Sequence, residues 1–127
     1  MAAEIRREPQ DNYIEEHLRL CEKLLVEAES LARQGDYIQA SEKAWGAAAH
    51  IVKAVAAKRG LELRSNRDLW SFVAELVRET GDDELRRLWN SANGFHINFY
   101  EAWMPGDMVW RAIEDVELFV EKLKKLI

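Results

Sequence analysis

Apolar residues along this chain recur at alternating spacings of four and three, a period that permits little except α-helix. Ile14, Leu18, Cys21, Leu25, Ala28 and Ala32 form the first such stripe over roughly residues 11–34, widened by Leu24 and Leu31. Gly35 suits a helix stop and Asp36 the N-cap of the next helix. Tyr37, Ala40, Ala44, Ala47, Ala48, Ile51 and Val55 repeat the pattern over roughly 36–59, with Gly46 beside it. Ala residues let two helix backbones approach closely, and a mid-helix Gly usually has a packing reason. Lys58 and Arg59 give a basic last turn before Gly60. Ser65-Asn66-Arg67-Asp68 reads as a capping box opening a shorter helix that carries Leu69, Trp70, Phe72, Val73, Leu76 and Val77. That helix should stop near Gly81. Asp82 or Asp83 is expected to cap a fourth helix, with Leu85, Leu88, Ala92, Phe95 and Phe99 on its stripe. Trp103-Met104-Pro105-Gly106-Asp107 interrupts the pattern. Asp107 should then cap a last helix bearing Val109, Ile113, Val116, Val120, Leu123 and Ile127.

The expected fold is therefore all-α: an antiparallel up-and-down helical bundle of four long helices plus one shorter helix. Short connections make sequential long helices antiparallel neighbours. No run of alternating β-branched residues predicts a strand. With 127 residues, 48% of them hydrophobic, residues 1–127 fit a single domain with a real core. Residues 1–10 fit a flexible N-terminal segment. No internal repeat, linker or low-complexity tract is visible.

Charge and cysteine usage narrow the function classes. A net charge of −5 makes a poor general binder of nucleic-acid backbone, so DNA is not an expected partner. A local basic patch remains compatible with that total. The single cysteine, Cys21, excludes an internal disulfide and falls on an apolar stripe, where buried packing is expected. The N-terminus has no apolar signal core. No apolar stretch approaches the roughly 20 residues of a membrane span. The longest, around Ala47–Val55, is broken by His50 and Lys53. A cytoplasmic location is expected.

No Gly-rich phosphate loop, Cys pair at zinc spacing or His-Glu-x-x-His is present, and the three histidines lie far apart in sequence. No metal site and no cofactor are expected. The most informative segment runs from Asn90 to Glu101. At about 100° per residue His96 falls close to the direction of Leu85 and Ala92. Asn93, Asn98, Tyr100 and Glu101 crowd polar and titratable groups around it, beside a Pro-Gly loop. Gly94 would admit close backbone or ligand approach. Two readings stand: a core histidine satisfied by Asn or backbone, or a ligand pocket of Asn93, His96, Asn98, Tyr100 and Glu101. In a pocket, an imidazole suits a general base near neutral pH. A second feature is the basic cluster Lys53, Lys58, Arg59, Arg64 and Arg67 around the start of the third helix. It reads either as a solvated face or as an anion site helped by helix backbone donors. The five tryptophans read mainly as core, with Trp103 and Trp110 flanking the Pro-Gly loop and partly exposed.

The second helix, "DYIQASEKAWGAAAHIVKAVAAKRG", resembles the HEPN-like helical-bundle superfamily. The segment "GFHINFYE" followed by a last amphipathic helix resembles its archaeal PaREP-type branch. The resemblance covers roughly residues 13–127. It implies an antiparallel helical bundle, frequently dimeric, that acts as a ribonuclease, binds nucleotides or partners a nucleotidyltransferase. The superfamily's catalytic signature is an Arg followed four to six residues later by a His. Set on His96, it would require Arg at 89, 90 or 91, where this chain has Trp89, Asn90 and Ser91. Arg87 lies nine residues before His96, about 13 Å from it along the helix, and points to the opposite side, and Arg86 is more distant still. Asn at that slot lacks the fixed charge a phosphoryl transition state needs. Only His96 carries over, so catalysis is not expected. The expected function is a homodimeric module that binds a nucleotide, an RNA segment or a protein partner. The alternatives are a metal-independent ribonuclease using His96 with an Arg from elsewhere, and a purely structural dimeric interaction protein.

Overall fold

The Ala-rich helix is the one every other helix packs against. A computed structural model of the chain describes residues 4–5 and 10–127. The helices are α1 (Gln10–Arg33), α2 (Tyr37–Lys58), α3 (Asn66–Thr80), α4 (Glu84–Glu101) and α5 (Gly106–Lys124). In α2, Ala40, Ala44, Ala47, Ala48, Ile51 and Val55 have no exposed surface. α2 touches α1, α3, α4 and α5, and α4 and α5 pack on each other. α1 reaches α5 but not α4, so the four long helices form a bundle with α2 and α5 meeting across it. The shorter α3 lies against α2 and α4. The all-α bundle expected from the stripes is therefore the fold.

Small residues set the spacing. A Cβ on Gly46 would stand 3.0 Å from Leu24 Cδ1, so α1 closes on α2 at the one position of this face without a side chain. A Cβ on Gly106 would meet the Tyr37 ring at 2.6 Å. The start of α5 thus rests against the start of α2.

The caps follow their chemistry, with one departure, at α5. Asp36 accepts from Gln39 N at 3.1 Å. Ser65 accepts from Asp68 N at 3.1 Å, and Asp68 Oδ2 accepts from Arg64 N at 2.9 Å, a closed box at the start of α3. At α4 the oxygen comes from Asp82, which accepts from Glu84 N at 3.1 Å; Asp83 occupies the N-cap position without a side-chain cap. Asp107 does not cap α5. The N-cap is Pro105, whose carbonyl accepts from Val109 N at 3.0 Å, and Asp107 sits inside the first turn. Proline's fixed φ suits this entry, and an acidic first turn suits the helix dipole.

A second departure from the sequence expectation is a short strand pair. β1 (Glu4–Ile5) pairs antiparallel with β2 (Leu61–Glu62), with Ile5 opposite Leu61. Two-residue strands carry no alternation to read, so neither was legible. The rest of the segment expected to be flexible, residues 1–3 and 6–9, lies outside the described residues.

Candidate functional site: a groove joining His96 to the basic cluster

α4 carries His96 beside α2, and there it meets two members of the basic cluster, Lys53 and Arg64. His96 is half-buried, its ring 5.0 Å from Trp45 of α2 and 5.7 Å from Tyr100, the latter edge-on. A groove of about 220 Å³ opens at this point. Trp45, Lys53, Arg64 and His96 line it, together with Ser65, Asn66 and Leu69 from the start of α3. It therefore combines an aromatic wall, two cations and the first residues of a helix.

Arg64 is held from two sides. Its Nε donates to Glu62 at 3.2 Å, and its backbone N–H is fixed by Asp68. Lys53 is half-buried and makes no ion pair among the described residues. The rest of the basic cluster lies elsewhere. Arg59 pairs with Glu79 at 2.7 Å and sits 5.4 Å over the Phe72 ring. Its guanidinium holds the Glu79 carboxyl below the usual range. Lys58 and Arg67 are exposed outside the groove.

The five pocket residues expected around His96 separate. Asn98 is 1% exposed and structural. Its Oδ1 accepts from Trp103 N at 2.8 Å and Met104 N at 2.7 Å. Its Nδ2 donates to Ser41 Oγ at 2.9 Å, and Ser41 donates on to the Tyr37 carbonyl at 2.7 Å. This arrangement needs the chain to turn sharply at Ala102, whose φ of 52 and ψ of 48 are left-handed. Asn93 donates to the Trp89 carbonyl one turn back, at 2.9 Å. Tyr100 and Glu101 are exposed at the end of α4. Only His96 of the five lines the groove, with Tyr100 braced against its ring. Gly94 is not required by space: a Cβ there would make an ordinary 3.6 Å contact with Met104.

The other two histidines, distant in sequence, are adjacent in space. Their Nδ1 atoms lie 3.0 Å apart across α1 and α2, so one ring donates and the other accepts. Burial, reinforced by Lys53, lowers the pKa of His50. No three His, Cys, Asp or Glu side chains among the described residues are placed to hold a metal ion. Cys21 is buried, and desolvation pushes its thiol up to about 12, which removes it as a nucleophile. No helix among the described residues is long and apolar enough to cross a membrane.

Of the tryptophans, Trp89 is fully buried, and Trp45 and Trp110 are half-buried. Trp70 is 40% exposed and Trp103 53%. The exposure of Trp103 follows from its place after the turn at Ala102. Trp70 lies off the buried line of Leu69, Phe72, Val73 and Leu76.

No curated protein matches the chain. A crystal structure of a protein from Sulfolobus solfataricus has the same fold, with a TM-score of 0.74 and 27% sequence identity. The similarity covers 84% of this chain and 95% of that one. The model of the Archaeal PaREP1/PaREP8 family matches residues 16–120. That match spans α2, α3, α4 and most of α1 and α5, including every residue lining the His96 groove, and the chain belongs to the archaeal PaREP1/PaREP8 family.

Proposed function

We propose that the protein is a nucleotide-binding or RNA-binding module of HEPN-like type, and that its ligand is held in the Trp45–His96 groove. The observation that carries this reading is the meeting of the aromatic pair with Lys53 and Arg64 in one opening. A base has a π-face to stack on Trp45 or His96. A phosphate has Lys53, Arg64 and the first turn of α3 to meet. At about 220 Å³ the groove is smaller than a typical enclosed ligand site of ~300–1,000 Å³, so it suits one nucleotide unit lying partly in solvent.

Titration with AMP, ATP and short single-stranded RNA tests this. Lys53→Met keeps the aliphatic stem and removes the charge. It should weaken binding about tenfold or more, as expected for loss of a charge-assisted hydrogen bond. It should also lower the slope of log affinity against log salt by about one for RNA. Absence of binding to all three probes, or equal affinity in the variant, would refute the assignment.

One observation favours a second reading. Arg64 lines the same groove as His96 and offers the cation that α4 lacks in the signature position. A ribonuclease would need His96 as base and Arg64 as charge stabiliser. The expected result with labelled single-stranded RNA and tRNA is still no cleavage above that of His96→Ala. Robust cleavage lost in both His96→Ala and Arg64→Ala would make the protein an enzyme.

The homodimer, or a nucleotidyltransferase partner, belongs to the same proposal. Ile97, Tyr100, Trp103 and Met108 are 47–74% exposed near the α4–α5 corner, an apolar set typical of interfaces. Light scattering at micromolar protein should give about twice the chain mass. A monomer at high concentration would remove the dimer from the proposal.

A further inference from the structure

The packing of α1 on α2 thins toward the start of α1, and a titratable contact stands at that point. From Cys21 onward α1 is built into the core. Cys21, Ala28 and Ala32 are buried, Leu24 lies against Gly46, and Glu27 pairs with Lys43 at 3.5 Å. Of the residues from Asp11 to Leu20, Ile14 alone is buried. In that stretch His17 reaches across to His50, Nδ1 to Nδ1 at 3.0 Å, with the ring centroids 5.2 Å apart. Both rings are half-buried.

A hydrogen bond between two Nδ1 atoms has room for one proton. With both rings neutral, or with one charged, a donor can face a lone pair. When both are imidazolium, each Nδ1 carries a hydrogen, no acceptor remains, and two like charges stand in contact. The surroundings do not relieve this. Burial disfavours the charged form of His50, and Lys53 on the same helix adds to the effect. Glu16 of α1 favours the charged form, but its exposed carboxylate is shared with Arg19, 3.8 Å away.

We propose that the His17–His50 pair is an acid-sensitive latch, which ties the first turns of α1 to α2 while at most one ring is charged and releases them, Ile14 included, when both are. Release stops near Cys21, where the core contacts of α1 begin. The direction follows from linkage. The pKa of His50 is lowered in the closed state, so the open state takes up more protons. The latch therefore contributes fully above the free-histidine value of about 6.5 and is lost as pH falls through it. Glu117 works in the opposite sense. Burial, then the carboxylates of Glu29, Glu114 and Glu121, raise its pKa, so its contribution grows as pH falls. Global stability mixes the two, and a local measurement separates them.

Amide exchange into deuterium, corrected for its intrinsic pH dependence, reads the segment directly. Between pH ~7.5 and pH ~5.5 the amides of residues 14–20 should become about fivefold faster, and those of residues 24–32 should not change. His17→Gln and His50→Gln each leave one imidazole and should each remove the pH effect. His96→Gln leaves the pair intact and should keep it. Should a Gln variant fail to fold, the ring nitrogen signals of the parent decide. His17 and His50 should titrate in two coupled steps, the second completed below about pH 6.5. Independent titration of both rings near pH ~6.5 would overturn the proposal. So would equal exchange of residues 14–20 at the two pH values, an equal acceleration over residues 24–32, or a pH effect that survives in both Gln variants.

Discussion

Replacing Asn98 by Ala should unfold the protein at markedly lower denaturant, with a loss of roughly 2–5 kcal/mol. The side chain accepts from two consecutive backbone N–H groups, Trp103 and Met104, and donates to Ser41. Its removal strands two backbone donors at the α4–α5 turn and the lone pair of a buried hydroxyl. An unpaired buried donor costs about 1–3 kcal/mol, against a gain of about 1 kcal/mol for an ordinary paired one. The turn itself depends on this anchor, because Ala102 holds a left-handed conformation that a non-glycine residue adopts at a cost of about 1–2 kcal/mol. Ser41→Ala removes one of the three bonds and should cost less. A midpoint for Asn98→Ala within about 0.5 kcal/mol of the parent would show that water replaces the amide and that the turn is self-supporting.

Ala48→Leu, or Ala47→Leu, should destabilise by about 1–3 kcal/mol through overpacking. Both Cβ atoms have no exposed surface, and α2 has helices on several sides. The added methylenes must push a neighbouring helix outward or force an off-rotamer side chain. The matched control is Val26→Ala, at a position 64% exposed, which should change stability by less than about 0.5 kcal/mol. A midpoint unchanged in the Leu variants would mean that α2 is not the helix the bundle closes around.

The helices were legible because each buries one stripe, and the stripe is written in the sequence at the period of the helix. Ile14, Cys21, Ala28 and Ala32 are buried where the spacing puts them, and so are Val109, Ile113, Val116, Val120 and Leu123. What the spacing does not carry is the third dimension. In sequence Asn98 stands among the ligand-facing candidates because a polar side chain near a histidine looks functional. Its partners lie after a chain reversal and on another helix, and neither is visible without the left-handed turn at Ala102. The groove was half legible. His96 and the Lys53–Arg64 cluster each stood out, but only the adjacency of α2 and α4 and the position of α3 bring them together. The His17–His50 contact was hidden for the same reason: 33 residues of sequence separate two rings that touch across α1 and α2. The cap of α5 departs from the expected Asp107 because Asp is the better side-chain cap, whereas here the backbone entry is set by Pro105.

The position of α2 within the bundle bears on how the chain is made. A helix that touches every other helix, yet comes second in order, must wait for most of its partners. When Lys58 has been synthesised, only α1 is available to cover it. Synthesis at about 5–20 residues per second leaves the α4 and α5 sides of α2 open for several seconds. Much of what is open then is Ala methyl, which carries far less apolar surface than Leu or Phe would. The same small side chains that let the finished helices close tightly thus leave the half-made chain with a less adhesive face, and the bulky residues that complete the core, Trp89, Phe95 and Phe119, arrive last.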